Sequence, residues 1–260
     1  MMLLPDDTSS TATHPFIRVR DLHQRFGNQH VLRGINLDIY HGETLVLLGT
    51  SGGGKSVLVK HLTGLLRPLS GQIWVNDIEI SRLSERKLVP IRHQIGMMFQ
   101  GGALFDSFSV FENVAFPLRE AGNIEESEIQ ARVSEALEIV KLTEHAHKLP
   151  SDISGGMRKR VALARVVVDQ PQCVIYDEPH AGLDPITGNT IDHLIKAMQR
   201  DRGITNVVIT HEMRSVFRIA DRVIFMKEGT VYWMGTPSEL LASEDPELKN
   251  FIEGISDLQI

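Results

Sequence analysis

The chain has 260 residues, of which 42% are hydrophobic and 23% charged, and its formal net charge is −6. This length suits one large α/β domain or two small ones, and the acidic balance argues against a general nucleic-acid binder. No apolar run approaches the roughly 20 residues that a membrane-spanning helix needs. The chain start lacks the features of a signal peptide, and the single cysteine, Cys173, excludes an internal disulfide.

Hydrophobic periodicity predicts an alternation of strands and helices along most of the chain. The predicted strands are 16–20, 31–39, 44–48, 72–75, 95–99, 173–176, 206–209, 222–226 and 230–234. The predicted helices are 57–66, 154–168, 186–199, 213–219, one that opens at 125–126, and further segments from 237. This order predicts an α/β fold with a parallel-sheet core, a β-rich opening and a mostly helical insertion at about 102–165. The domain is expected to span 16–242, between a disordered tail at 1–15 and a short helical tail at 243–260.

A glycine-rich octapeptide lies between a predicted strand and a predicted helix, and it fits the phosphate-binding pattern G-x-x-x-x-G-K-[ST] in full. Glycines let backbone N–H groups approach phosphate oxygens, and the start of the next helix favours negative charge. Lys55 is expected to reach the β- and γ-phosphates, and the Ser56 hydroxyl to ligate Mg²⁺. A glycine-rich structural turn is the alternative, which pattern and context together disfavour. The residues expected to bind a nucleoside triphosphate here are Gly49, Thr50, Ser51, Gly52, Gly53, Gly54, Lys55, Ser56 and Val57.

A second motif is an apolar strand, 173–176, that ends in two carboxylates. Ligands collect at the carboxyl ends of strands in α/β sheets. Asp177 is therefore expected to hold Mg²⁺ and Glu178 to polarise the attacking water. The alternative, an acidic cap or surface pair, is disfavoured by the phosphate loop in the same chain.

A third motif, Ser154-Gly155-Gly156, precedes a predicted helix and could bind phosphate through N–H groups at the helix start. Simple helix capping would explain Ser154. It would not explain two adjacent glycines, each of which is entropically unfavourable. For the next residues, Arg158-Lys159-Arg160, the alternative is that they form only a solvated helix face.

With these motifs in this order, the chain resembles the ATP-binding subunits of ABC transporters over residues 16–242. The resemblance implies a P-loop NTPase with an N-terminal antiparallel β subdomain, a RecA-like parallel core and an inserted α-helical subdomain. It also implies two copies that close head-to-tail around two ATP with Mg²⁺, in which Ser154, Gly155 and Gly156 of one copy complete the site of the other.

The same resemblance assigns roles to four more residues. Phe26 stacks on adenine, and Gln100 is a Mg²⁺ ligand. Asp184 belongs to a loop that crosses the dimer interface, and His211 contacts the γ-phosphate. The expected catalytic residues are Glu178, His211 and Lys55. The chain departs from the family pattern at Ile153, where Leu is usual, and at His180, where Thr or Ser is common.

The segment 99–120 is similar to that of the Mla/Mce-type lipid transporter ATPases, and 155–165, 184–187 and 245–255 support the resemblance. It implies an ATPase, peripheral on the cytoplasmic face of a bacterial inner membrane, that drives phospholipids between the inner and outer membranes. A permease would dock near residues 100–120. A Mce-domain lipid-binding protein and a small regulatory subunit are further expected partners, and nucleic acid is not. The alternatives are the ATPase of another importer, for amino acids or metal chelates, and a soluble ABC protein outside transport.

Overall fold

The computed structural model describes residues 14–254, which form two sheets flanked by helices. The strands are β1 (Pro15–Phe26), β2 (Gln29–Tyr40), β3 (Thr44–Gly49), β4 (Ser70–Val75), β5 (Ile78–Glu79), β6 (Ile95–Met98), β7 (Cys173–Asp177), β8 (Thr205–Ile209), β9 (Arg222–Lys227) and β10 (Thr230–Gly235). The helices are α1 (Lys55–Leu62), α2 (Glu85–Arg92), α3 (Val110–Ala121), α4 (Glu126–Ile139), α5 (Gly155–Val167), α6 (Pro185–Arg202), α7 (Met213–Ile219), α8 (Pro237–Leu241) and α9 (Pro246–Glu253). Within 14–254, no helix has both the length and the apolar character that crossing a bilayer requires.

The smaller sheet has the order β2-β1-β4-β5 and is antiparallel throughout. The larger sheet has the order β10-β9-β3-β8-β7-β6, in which the strands from β9 to β6 are parallel and β10 runs antiparallel at one edge. The predicted α/β arrangement of an antiparallel β opening and a parallel core is therefore observed, with β10 making the larger sheet mixed.

The central strands β3 and β8 are buried at every position, which explains why they read as continuous apolar runs. Successive side chains of β3 enter opposite faces of the sheet. Val46 and Leu48 join one hydrophobic core, whereas Leu45 and Leu47 join the other. One face therefore packs on helices that include α5 and α6, and the other packs on α1 and on apolar residues of the smaller sheet.

The middle of the chain contributes α3, α4 and α5, whose apolar residues share one core. A reciprocal cap begins α3, since Ser109 Oγ accepts from the Glu112 N–H at 3.2 Å and Glu112 accepts from the Ser109 N–H at 2.7 Å. Asn113 is fully buried and bonds to the backbone of Phe105 in both directions, which holds the segment before α3 in place.

Several elements differ from the sequence prediction. The first strand is longer than 16–20, because irregular pairing near Asp21, which has a φ of 47°, interrupts the alternation that marks a strand. The predictions did not separate α2 and α3 from their surroundings. The tail predicted at 1–15 lies outside the described residues apart from its last two, and Pro15 already begins β1. The tail at 243–260 contains α9, and its residues 255–260 also lie outside.

Candidate functional site

Four adjacent parallel strands, β3, β8, β7 and β6, end at the same edge of the larger sheet. The phosphate-loop candidate follows β3, His211 follows β8, the pair Asp177-Glu178 closes β7, and Gln100 follows β6. Together they border a cleft of about 400 Å³, here called the strand-end cleft. Its lining residues are Gly49, Thr50, Ser51, Gly52, Lys55, Ser56, Gln100, Asp177, Glu178, Ile209, His211 and Phe251.

The loop glycines are required by the backbone geometry. Gly49 has a φ of 137°, and a Cβ there would lie 2.0 Å from the carbonyl oxygen of Met226 on β9. Gly54 has a φ of 98°, and a Cβ there would lie 2.8 Å from Leu32 Cδ2. Gly52 also has a positive φ, 77°, but no atom crowds it. Side chains are thus excluded at Gly49 and Gly54, and glycines of this kind let backbone N–H groups approach an anion.

Lys55 begins α1 and turns back over the loop. Its Nζ donates to the carbonyl of Gly49 at 2.7 Å and to that of Thr50 at 2.9 Å. Burial lowers the pKa of Lys55, and the nearby carboxylates of Glu178 and Asp177 oppose that shift. The arrangement places a cation between the loop and the carboxylates, which is where a phosphate chain would need one.

Glu178 and His211 are in contact within the strand-end cleft. Nδ1 of His211 lies 2.9 Å from Oε2 of Glu178, and the His211 side chain is 74% exposed whereas that of Glu178 is 18% exposed. Glu178 has a left-handed φ of 49°, and its N–H donates to the carbonyl of Ile209 at 3.0 Å. The backbone bond ties the loop after β7 to β8, the strand that leads to His211.

Oxygen donors line the part of the cleft where a Mg²⁺ site is predicted. Ser56, Gln100 and Asp177 all border the strand-end cleft, and hydroxyl, amide and carboxylate oxygens suit this cation. Burial, and then the charge of Glu178, raises the pKa of Asp177, whereas Lys60 and Lys55 oppose the shift. In the described part of the chain, no group of three or more His, Cys, Asp or Glu side chains forms a metal site. Mg²⁺ takes few protein ligands and completes its shell with water and substrate phosphates.

The Ser154-Gly155-Gly156 motif lies outside the strand-end cleft. Ser154 caps α5, and none of the three residues is among those that line the strand-end cleft. A Cβ on Gly156 would lie 2.3 Å from Cγ2 of Thr187, whose hydroxyl donates to Asp184 at 2.6 Å. The structure therefore brings this motif together with Asp184, which caps α6, and away from its own phosphate loop.

Phe26 ends β1 and is 47% exposed. Across the following turn, Gln29 and Val31 of β2 join loop residues 52–57 around a depression of about 240 Å³. This depression includes Val57 and shares Gly52, Lys55 and Ser56 with the strand-end cleft. Phe26 lines neither this depression nor the strand-end cleft.

Helix α5 holds the segment after β6. Lys159 Nζ donates to the carbonyl of Gln100, and Arg165 donates to the carbonyls of Gly102 at 2.7 Å and Ala103 at 2.8 Å. Burial lowers the pKa of both Lys159 and Arg165. Lys159 is only 8% exposed, so the interpretation of this run as a solvated helix face is wrong at that position. No local pattern could have revealed these contacts, because the acceptors are backbone carbonyls of a distant segment.

Phe251 is a cleft residue that the sequence did not indicate. It lies on α9, borders the strand-end cleft, and packs edge-on against the buried ring of Phe225 with centroids 4.9 Å apart. Phe225 belongs to β9 and pairs with Leu48, the residue before Gly49. The C-terminal helix thus reaches the phosphate-loop candidate through β9.

A second, larger hollow of about 430 Å³ is mainly apolar and is here called the β6 groove. It lies beside the segment 100–120, as the predicted docking region requires, and three phenylalanines of that segment, Phe105, Phe108 and Phe116, pack together next to it. Its lining residues are Thr63, Leu65, Arg92, Ile95, Gly96, Met97, Phe99, Ala103, Phe105, Phe116, Pro117, Arg165, Val166 and Asp169.

Comparisons with known proteins agree with this geometry. A family model described as ABC transporter matches residues 32–181. The chain is 38% identical to the intermembrane phospholipid transport system ATP-binding protein MlaF of Haemophilus influenzae, over 93% of this chain and 91% of that one. It is 41% identical to the methionine import ATP-binding protein MetN of Carboxydothermus hydrogenoformans, over 85% of this chain and 66% of that one. A solved dimeric ATP-binding cassette in a post-hydrolysis state, bound to ADP and Pi, matches with a TM-score of 0.78 and 30% identity, over 85% and 98% of the two chains. The fold class predicted from the sequence is thereby confirmed.

Proposed function

The chain belongs to the ABC transporter family and is an ATPase of that family, and from this we propose that it is the motor subunit of a lipid transporter. The observation that carries the proposal is the convergence of four strand ends on one cleft. The loop at 49–56 binds the phosphates of ATP with Lys55, Glu178 polarises the attacking water, and His211 contacts the γ-phosphate. Phe26, beside the loop, stacks on adenine.

Mg²⁺ accompanies the nucleotide, held by Ser56, Asp177 and Gln100. When bound, it would neutralise charge on the phosphate oxygens. The chain's own contribution is to keep these oxygen donors at the strand ends and to hold Lys55 beside them.

ATP binding closes two copies of the chain head-to-tail. Ser154, Gly155 and Gly156 stand outside the cleft of their own chain, which supports a role at the site of a second copy. The N–H groups at the start of α5 are then available to the γ-phosphate of the partner's ATP. Gly156 lies against Thr187, and Thr187 bonds to Asp184. The start of α5 and the loop before α6 would therefore reach the dimer interface together. ATP then acts as the ligand that selects the closed state.

The β6 groove receives a permease. An apolar hollow of this size, rimmed by Arg92, Arg165 and Asp169, suits a short amphipathic segment of another protein. The groove adjoins Gln100 through Phe99 and Ala103, so a docked segment would lie next to the nucleotide site. We accordingly propose that the chain works at the cytoplasmic face of a bacterial inner membrane.

The cargo is proposed to be phospholipid, moved between the inner and outer membranes. The resemblance of 99–120 to Mla/Mce-type ATPases and the similarity to MlaF support this. A Mce-domain lipid-binding protein and a small regulatory subunit would complete the complex. The second candidate is an importer of another solute, favoured by the comparable similarity to a methionine import ATPase.

Two measurements test the proposal. Full-length wild-type chain should hydrolyse MgATP, and Lys55→Ala should abolish turnover; retained turnover in the variant would refute the phosphate-loop assignment. The complex isolated from detergent extract should contain a permease together with a Mce-domain protein. Recovery of an amino-acid permease instead would defeat the lipid assignment and leave the ATPase assignment standing.

A further inference from the structure

Behind the strand-end cleft, a buried carboxylate on α6 gathers donors from two other elements. Asp192 is 2% exposed. It accepts from His180 Nε2 at 2.7 Å, from Ser215 Oγ at 2.6 Å and from an Arg218 guanidinium nitrogen at 2.7 Å. These four residues are called the Asp192 network. A carboxylate offers only acceptors, so His180 Nε2 carries the proton in this contact.

The network joins the two segments that carry the catalytic candidates. His180 lies in the loop just after Glu178, and Ser215 and Arg218 lie on α7, which begins just after His211. None of the four residues lines the strand-end cleft in the described part of the chain. Any effect of the network on the reaction must therefore act through the position of Glu178 and His211.

The contacts of the Asp192 carboxylate fix its position. A charged carboxylate removed from water must be matched by donors, and here both oxygens are matched. The other ring nitrogen of His180, Nδ1, is buried without a partner among residues 14–254, so the Nε2 contacts alone orient the ring. The remaining charged groups that border the adjoining cavity of about 270 Å³ are Asp184, Glu212 and Arg214. None of these three bonds to Asp192 among the described residues.

We propose that Asp192 and His180 are positioning residues, which fix the separation of Glu178 and His211 by tying α6 to both segments at once. The inference rests on the proposed ATPase function of the strand-end cleft. A purely structural role would be different, because loss of helix packing would lower stability without acting selectively on the catalytic step. The two roles separate in kinetics, since misplaced catalytic groups lower kcat while the phosphate loop, and with it KM, is untouched.

The test uses full-length chain and MgATP, with thermal unfolding measured for every variant. Asp192→Asn keeps the side-chain shape, and we expect kcat to fall about 10- to 100-fold while KM for ATP stays within about twofold. The matched control is Glu43→Gln, which removes a half-buried carboxylate paired with Arg222 at 2.9 Å, before the start of β3 and away from the strand-end cleft. It should leave kcat within about twofold of wild type, whatever its effect on the melting temperature.

Two substitutions of His180 separate loss of the N–H donor from loss of the histidine itself. His180→Gln retains an N–H donor at the position of Nε2 and should keep most of the rate, whereas His180→Leu should lose rate as Asp192→Asn does. If Asp192→Asn does not fold, His180→Leu and Arg218→Met carry the test. The inference would be overturned if Asp192→Asn, His180→Leu and Arg218→Met all kept the wild-type kcat. It would also be overturned if kcat fell in proportion to the melting temperature in every variant, Glu43→Gln included. Absence of turnover in wild-type chain would instead count against the proposed function.

Discussion

Nδ1 of His211 lies 2.9 Å from Oε2 of Glu178, and the backbone N–H of Glu178 is bonded to Ile209, on the strand that leads to His211. The carboxylate is mostly buried and anchored through its own backbone, whereas the imidazole is largely exposed. A substrate entering the strand-end cleft would therefore meet a mostly buried carboxylate and an exposed imidazole.

Replacing Glu178 by Gln should preserve ATP binding and slow hydrolysis about 100-fold or more, because an amide cannot accept the proton of the attacking water. With hydrolysis slowed, ATP-bound dimer should accumulate, which sedimentation or size-exclusion chromatography with MgATP would detect. Glu228→Gln, an exposed carboxylate in the turn between β9 and β10, is the control. A monomeric Glu178→Gln chain at saturating ATP, or one with normal turnover, contradicts the proposed closure.

Mixing two inactive variants tests whether Ser154 serves the partner's ATP. Ser154→Asp keeps a good helix cap but places negative charge where the γ-phosphate of the partner is proposed to lie. Lys55→Ala disables the phosphate loop. In a head-to-tail dimer of one chain of each kind, one site combines an intact loop with an intact Ser154. The mixture should therefore hydrolyse ATP although neither parent does, and a mixture as inactive as its parents would argue for sites formed within one chain.

Gly49→Ala should be severely destabilising. The substitution adds both a clash at 2.0 Å with the Met226 carbonyl and a backbone conformation that alanine disfavours. We expect the free energy of unfolding to drop by at least about 3 kcal/mol. Gly203→Ala has the same sign of φ, 66°, with nothing within 4 Å of the added Cβ, and should cost only about 1 kcal/mol. Equal losses in denaturant titrations of the two variants would show that the contact with Met226 does not matter.

Asp192 should make stability depend on acid pH. Burial alone would raise its pKa, but the contacts from His180, Ser215 and Arg218 outweigh that, and the pKa falls below its ordinary 3.8. Because the folded pKa is depressed, the stabilisation is complete above the unfolded value and is lost as pH falls through the folded pKa. The melting temperatures of wild type and Asp192→Asn should thus converge as the pH falls from about 5 through the folded pKa of Asp192. A difference that stays constant or grows over that range contradicts the assignment.

Phe251→Ala should change nucleotide binding as well as stability. The ring borders the strand-end cleft and packs on Phe225, so its removal loosens the wall next to Gly49 and should raise KM for ATP severalfold. Ile252→Ala is the control, since Ile252 packs on the same core but does not line the cleft. Both variants should lose about 1–2 kcal/mol of stability. A KM change shared equally by both would mean that α9 acts only through packing.

The parts of the site that the sequence indicates are those whose position is set locally. The loop at 49–56, Asp177-Glu178, Gln100 and His211 each follow a short apolar strand, and parallel strands bring their ends to one edge. Pattern and strand position indicated the loop and the carboxylate pair, whereas the family resemblance assigned Gln100 and His211, and all four border one cleft.

Other features depend on contacts between distant segments, which periodicity does not encode. The carbonyl that binds Lys159 belongs to Gln100, and a run of three basic residues reads equally well as a solvated surface. Phe251 reaches the cleft because α9 docks on β9 and β10, through Lys227 with Glu247 at 2.7 Å and Tyr232 with Asp245 at 2.8 Å. Helix α2 went unpredicted for a local reason, since it has few apolar residues and contains Pro90.

Helix α5 touches the β6 groove at one end, through Arg165, and presents Ser154 at the other. Its 13 residues form a rigid rod of about 20 Å, so a tilt of about 10° at the groove end displaces the opposite end by about 3 Å. That travel is the length of a hydrogen bond. A tilt of α5 about its groove end, where Arg165 binds the carbonyls of Gly102 and Ala103, would therefore be enough to make or break a hydrogen bond at Ser154.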